Sequence, residues 1–197
     1  MSEKTSGTAP ISRRGKASTA QTRAAEHALL GLLAEAEPSS TGVHGYDLLR
    51  QFADGALADI IRIEPGMLYH HLKSMAKRGL LVTTVERQAT RPDRQMHAIT
   101  ESGRESLQIW LTEPVRATRE LRLEFLVKLY LAERVGHAQV SKLLSAQRDV
   151  VDHLIASLEQ QRDALDSENP DTRFRRNVHN LRITQNQAAR IWLDELA

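Results

Sequence analysis

The chain has 197 residues, 41% of them hydrophobic, which is enough for one full domain with a smaller appendage. Its formal net charge of +2 is too mild to demand a nucleic-acid partner by itself, so the local placement of charge has to decide that question. The absence of cysteine excludes a disulfide framework, a thiolate zinc site and a cysteine nucleophile.

Residues 1–22 are rich in Ser, Thr, Gly and Ala and nearly free of large apolar side chains. They cannot offset the entropy of ordering and read as a disordered basic tail. Contact of Arg13, Arg14 and Lys16 with phosphates is the alternative to an inert tail. No apolar run follows these residues, and no stretch reaches the roughly eighteen apolar residues of a membrane span, so the expected location is cytoplasmic and no membrane partner is expected.

From Arg23 the residues Ala25, Ala28, Leu29, Leu32 and Leu33 recur at helical spacing and predict a first helix with one buried stripe. Turn-forming residues from Glu37 to Gly42 stop it. A short second helix is predicted over 45–52, with Tyr46, Leu49 and Phe52 inward. Pro65 suits a first helical turn, where its missing N–H costs nothing. Leu68, Leu72, Met75 and Ala76 then form the stripe of a third helix that ends at Gly79 as a C-terminal cap. Leu80–Glu86 and Gln95–Ile99 read as strands, joined by a polar loop in which Arg87, Arg91 and Arg94 face only Asp93. Thr100 reads as the N-cap of a fourth helix that returns Leu107, Trp110 and Leu111 to the core.

Three short helices followed by a hairpin is the order of a winged helix-turn-helix, in which the third helix enters the major groove and the wing lies over the backbone. Between Arg62 and Arg94 there are seven Lys/Arg (62, 73, 77, 78, 87, 91, 94) against three acids (64, 86, 93), a local +4 within an overall +2. The positive charge therefore gathers where a duplex would lie. A solvated basic face, or a winged-helix adaptor that binds protein, is the alternative reading.

The words His44-Gly45-Tyr46-Asp47-Leu48, Pro65-Gly66-Met67-Leu68-Tyr69, Lys77-Arg78-Gly79-Leu80-Leu81 and Ile99-Thr100-Glu101-Ser102-Gly103-Arg104 stand in an order and spacing that resembles the PadR family of transcriptional regulators, over about residues 25 to 112. The resemblance implies a homodimeric regulator, often a repressor, that binds a roughly palindromic operator in double-stranded DNA and commonly releases it when an effector binds. By position it implies Met67, Tyr69, His70 and Lys73 on the third helix, with Arg91 and Arg94 in the wing, as DNA-binding residues. Tyr69, Lys73 and the arginines are expected at phosphates, and Met67 and His70 near base edges or thymine methyls, with a Tyr69 ring packed in the domain and only its hydroxyl exposed as the alternative. One departure is the second wing strand, Arg94-Gln95-Met96-His97-Ala98-Ile99-Thr100, which lacks the tyrosine that members often carry before the Ile-Thr pair.

Pro114 marks the boundary between a DNA-binding domain over 23–113 and a helical dimerisation domain over 114–197. Leu123, Leu126, Val127 and Tyr130 share one helical stripe ending near Gly136. Val140, Leu144, Gln147, Val151, Leu154, Leu158, Gln161 and Leu165 form a heptad seam with two glutamines in it. After Asn169-Pro170, the residues Phe174, Val178, Leu181, Gln185, Ala188 and Trp192 repeat the spacing, which predicts two antiparallel helices that bury their stripes in a homodimer. Trp110, Tyr130 and Trp192 are the candidate lining of a pocket for a small aromatic effector, with ordinary core packing as the alternative.

The expected fold is thus mainly α with a small β-hairpin wing. An enzyme is not expected, because there is no Gly-x-Ser-x-Gly, no phosphate-cradling glycine loop and no dinucleotide fingerprint. No cofactor or metal is expected either, since His70 and His71 are adjacent and point apart on a helix.

Overall fold

The computed structural model describes residues 19–36, 42–87, 93–165 and 169–196. Its elements run α1 (Thr19–Glu35), β1 (Val43–His44), α2 (Gly45–Asp54), a 3₁₀ turn (Ala56–Asp59), α3 (Pro65–Lys77), β2 (Leu81–Glu86), β3 (Arg94–Ile99) and α4 (Glu101–Thr112). A second 3₁₀ turn (Thr118–Arg122) then leads to α5 (Glu124–Val135), α6 (His137–Asp163) and α7 (Pro170–Glu195). This is a mainly helical winged helix-turn-helix followed by a helical C-terminal half. Among the described residues no helix is long and apolar enough to cross a membrane. Helix α1 already begins at Thr19, ahead of Arg23.

The first core gathers Ala28, Leu29, Leu32, Leu48, Phe52, Leu68, Leu72, Met75, Leu107, Trp110 and Leu111 from α1–α4. Tyr46 departs from its expected inward position. It is 59% exposed, and Leu48 and Phe52 carry the buried face of α2 instead. The sheet has three strands rather than a bare hairpin, in the order β1-β3-β2, with Val43 opposite His97 and Leu81 opposite Ile99. Two-residue β1 shows no periodicity to read. It pairs with β3 and then turns directly into α2, where the His44 ring accepts the Tyr46 N–H at 3.1 Å as a helix cap.

Helix α3 ends as its sequence indicates. Gly79 has a φ of 75°, its N–H reaches the Ala76 carbonyl, and the Leu80 N–H reaches the Met75 carbonyl, which is the Schellman closure. The hydroxyl of Thr100 donates to the Gly79 carbonyl at 2.7 Å and accepts the Gly103 N–H at 3.1 Å. One side chain therefore caps α4 and ties it to the end of α3.

The second core joins Val115, Leu121, Phe125, Leu129, Leu143, Leu144, Val151 and Leu193. Helix α5 serves both cores: Val127 and Leu131 face the first, Phe125, Leu129 and Ala132 the second. Burial therefore runs around most of α5. Of the stripe expected there, only Val127 is fully buried, while Leu123, Leu126 and Tyr130 are half-buried. Gly31 allows the close approach of α1 to α5, since a Cβ there would meet Leu131 Cδ2 at 2.3 Å.

Helices α6 and α7 are antiparallel, as the Arg148–Asp194 (3.0 Å) and Arg190–Asp152 (2.9 Å) pairs show. Gln147, one of the two glutamines in the seam, is a clamp rather than a defect. Its amide accepts the Val115 N–H at 2.8 Å and donates to the Val115 carbonyl at 2.9 Å, pinning the linker onto α6. Beyond Val151 the seam opens: Leu154 and Leu158 are half-buried and Gln161 is exposed. The stripe expected to be buried on α7 largely faces outward in the single chain, with Phe174 69% exposed and Leu181, Gln185 and Ala188 also exposed. The residues buried on α7 are Thr172, Ile183, Asn186 and Leu193. Ion pairs from Arg148 and Asp152, together with the Thr118–Asn186 hydrogen bond at 2.8 Å, set this rotation, and hydrophobic spacing does not encode them.

Candidate nucleic-acid interface

Helix α3 is two-faced. Leu68, His71, Leu72 and Met75 are buried, whereas Gly66, Met67, Tyr69, His70, Lys73 and Lys77 are exposed. The exposed residues recur three and four apart and so share a continuous face of the helix. Four of the expected contact residues, Met67, Tyr69, His70 and Lys73, thus lie on one surface. Arg94 opens β3, exposed and opposite Glu86 of β2. Arg91 lies outside the described residues.

Tyr69 holds a defined position. Its ring lies over the first turn of α2, so close that a Cβ at Gly45 would stand 2.7 Å from Tyr69 Cε1. The ring is packed on one side, yet the residue keeps 45% of its surface exposed. With the exposed Tyr46 beside Gly45, this brings two tyrosines to the junction of α2 and α3, an association that neither local sequence displays.

Glu26 of α1 sets α3 from behind. Its carboxylate lies 2.8 Å from Arg78 Nη2 and 3.6 Å from His71 Nδ1. Burial opposes its ionised form, but the hydrogen bonds from His71 and Arg78 outweigh that and hold its pKa below the usual carboxylate value. Arg78, with 48% of its side chain exposed, is thus held at a largely buried carboxylate. Among the described residues, the other exposed cations around the helix and hairpin are Arg62, Lys73, Lys77, Arg87 and Arg94. Arg62, Lys77 and Arg87 figure in the sequence only as part of a charge count.

In β3, His97 turns inward and is 3% exposed, with Nδ1 at 3.0 Å from the Thr83 hydroxyl. Desolvation, with the nearby His44, lowers its pKa, so it serves the wing as a neutral packing residue. The aromatic trio proposed for an effector does not come together. Trp110 is buried in the first core and Tyr130 packs against that core beneath Arg134, whose guanidinium lies 3.4 Å from the ring centroid. Trp192 belongs to the second core and lines an open cleft of about 580 Å³ with Arg119, Leu121, Arg122, Leu126 and Ala188.

A helix with an exposed cationic face, braced from behind and followed by an antiparallel hairpin, defines the winged helix-turn-helix class. Residues 29–109 match the transcriptional regulator PadR-like family, and residues 121–197 match the family described as virulence activator alpha C-term. The winged half is thus PadR-like, similar over residues 29–109 to a family of transcriptional regulators.

The chain is 26% identical over 125 residues to the negative transcriptional regulator PadR of Bacillus subtilis, covering 64% of this chain and 65% of that protein. It is 33% identical over 93 residues to the probable transcriptional regulator Rv1176c of Mycobacterium tuberculosis, covering 47% and 46% respectively. The matched segments thus span less than two thirds of either relative. Among solved structures, Bacillus subtilis PadR in complex with operator DNA is similar at 23% identity and a TM-score of 0.43, over 87% of this chain and 95% of that one. The Vibrio cholerae virulence activator AphA is similar at 22% identity and a TM-score of 0.38, over 87% and 95%.

Proposed function

We propose that this protein is a homodimeric transcriptional repressor that binds a roughly palindromic operator through α3 and the hairpin. The observation that carries this reading is the exposed face of α3, where Met67, Tyr69, His70 and Lys73 stand together with the cations of the hairpin alongside. Lys73, Arg94 and the Tyr69 hydroxyl suit phosphate oxygens, which fix register, and Met67 and His70 near the helix start suit base edges. Arg91 takes a phosphate role by its place in the wing sequence. The negative regulator from Bacillus subtilis supports the repressing sign.

Dimerisation through the C-terminal helices is supported by the outward stripe of α7. Phe174, Leu181 and Ala188 along one side of a long helix would cost little to cover and much to leave wet. A two-fold pair presents two copies of α3 to successive major grooves. A small aromatic effector that releases the operator is the remaining part of the reading. It is supported by the solved structure of Bacillus subtilis PadR with p-coumaric acid and by the apolar walls and arginines of the Trp192 cleft.

The test is titration of the purified chain with promoter DNA from its own genomic neighbourhood at two salt concentrations, against a scrambled duplex. Tight, salt-sensitive preference for the promoter is expected. Lys73→Ala and Arg94→Ala should each weaken binding about uniformly across sequences and lower the salt slope by about one. Salt-insensitive capture of a protein, with no duplex preference, would instead establish the adaptor role.

A second outcome concerns Tyr69. Gly45→Ala drives a methyl into its ring, so DNA affinity is expected to fall by roughly fivefold to tenfold, the size of one lost hydrogen bond, while stability shifts by less than about 1 kcal/mol. Unchanged affinity would remove the Tyr69 hydroxyl from the interface.

A further inference from the structure

Lys128 of α5 is 1% exposed, and no role in DNA contact accounts for it. Its ammonium donates to the Trp110 carbonyl at 2.6 Å and the Glu113 carbonyl at 2.5 Å, lies 3.6 Å from Glu124 Oε1, and stands 4.5 Å from the centre of the Trp110 ring. Glu124 Oε1 also accepts the Trp110 indole N–H at 2.8 Å and lies 3.6 Å from Arg23 Nε. Arg23 in turn pairs with the Glu113 carboxylate at 2.8 Å, and His27 stacks on Trp110 with ring centres 4.4 Å apart. Helix α1, the C-terminal end of α4, the start of the linker and α5 thus meet at one buried cation.

The place of this cluster matters because it sits where the DNA-reading half joins the helices that carry the outward stripe. Carbonyls at the end of α4 lack partners within the helix, and Lys128 satisfies them from α5. One turn of α5 away, Phe125 meets Trp192 of α7 edge-on at 5.9 Å. Apolar packing alone tolerates small slips of one helix over another. Directional bonds to a buried charge do not, since each slip leaves a desolvated group unpaired.

We propose that the Lys128–Glu124–Trp110 cluster is a specificity-determining joint that fixes the angle between the DNA-reading half and the C-terminal helices, and with it the half-site spacing that the dimer accepts. This rests on the operator-binding reading above. Adding one base pair between half-sites both separates and rotates the two major-groove faces, so a dimer rejects it only if its joints hold their angle. Lys128 and Glu124 are positioning residues here and touch no DNA.

The experiment uses the full chain and a duplex that the wild-type protein selects in vitro from a random library, with its half-sites then moved together or apart by one base pair. Wild-type affinity should drop by roughly tenfold or more on either shift, comparable to one mismatched base pair. Lys128→Met should flatten this profile to within a few-fold, leaving affinity for an isolated half-site and the dimer unchanged. Lys128→Met with Glu124→Gln removes the carboxylate charge as well, keeps an acceptor for the Trp110 N–H, and carries the comparison if the single variant does not fold.

The wild-type chain at pH 9 supplies a version free of substitutions. Burial, opposed by Glu124 and Glu113 and aided by Arg23, lowers the Lys128 pKa to about 8, while His27 is neutral throughout this range. The ammonium is therefore mostly deprotonated at pH 9 and the profile should broaden. Profiles as narrow as the wild type at pH 7, in the folded variant and at pH 9 alike, would overturn the proposal. A wild-type chain that selects no duplex would overturn the operator reading itself.

Discussion

Gly103→Ala is expected to destabilise the protein by about 3 kcal/mol, which for a chain of this size lowers the melting midpoint by roughly 6–12 °C. A Cβ at position 103 would stand 2.1 Å from the Leu80 carbonyl oxygen and 2.8 Å from Ile99 Cγ1. The first of these is backbone, held by the Schellman closure of α3 and by the Thr100 N–H, which donates to the same oxygen at 3.2 Å. It cannot step aside as a side-chain tip would. Alanine in place of glycine gains up to about 1 kcal/mol in helix propensity, which the clash exceeds. Thermal unfolding of the variant checks this, and a midpoint at or above the wild type would mean that the α3–α4 junction yields cheaply. Because Thr100 ties that junction to the end of α3, the variant should also bind DNA less well at temperatures where it remains folded.

Acid should destabilise the chain through His27, beginning just below neutral pH. Burial first, then the charges of Arg23 and Lys128, lower the pKa of His27 to about 4, while the hydrogen bond to the Arg23 carbonyl and the charge of Glu26 act the other way. The unfolded chain takes up this proton below about 6.5 and the folded chain only below about 4. The folded state therefore binds fewer protons in that window, and stability falls as pH falls through it. The loss is about 2 kcal/mol at pH 5 and on the order of 3 kcal/mol by pH 4. His97, also lowered by burial, adds in the same direction. His27→Phe keeps a ring to stack on Trp110 and removes this proton site, so urea midpoints at pH 7 and pH 5 should lie closer together in the variant than in the wild type. An unchanged acid slope would assign the effect elsewhere.

The winged half was legible because its signals are local. Pro65 at the first turn of α3, Gly79 at its end and Thr100 at the start of α4 each act within a few residues of themselves, and each stands where its chemistry predicts. Tyr46 misled, because its ring follows helical spacing but lies at the exposed junction with Tyr69. Strand β1 was invisible, since two residues have no period and pair only with a distant β3. In the C-terminal half the elements were readable but their rotation was not. Arg148, Asp152 and Arg190 orient α7, Gln147 holds a linker, and α5 answers to two cores at once; none of these leaves an apolar period. At the candidate interface the helix face was readable, whereas the diversion of Arg78 to Glu26 required knowing that α1 passes behind α3.

The double allegiance of α5 bears on how this molecule comes apart. Val127 and Leu131 complete one interior while Phe125, Leu129 and Ala132 complete the other. Neither half can melt without stripping apolar surface from a helix that the other half needs. Two-part proteins joined by a simple tether lose their parts independently, each at its own temperature. Here a single element is common property, so the winged half and the helices behind it form one cooperative unit, and a disturbance that loosens either half is felt as a loss of stability by the whole.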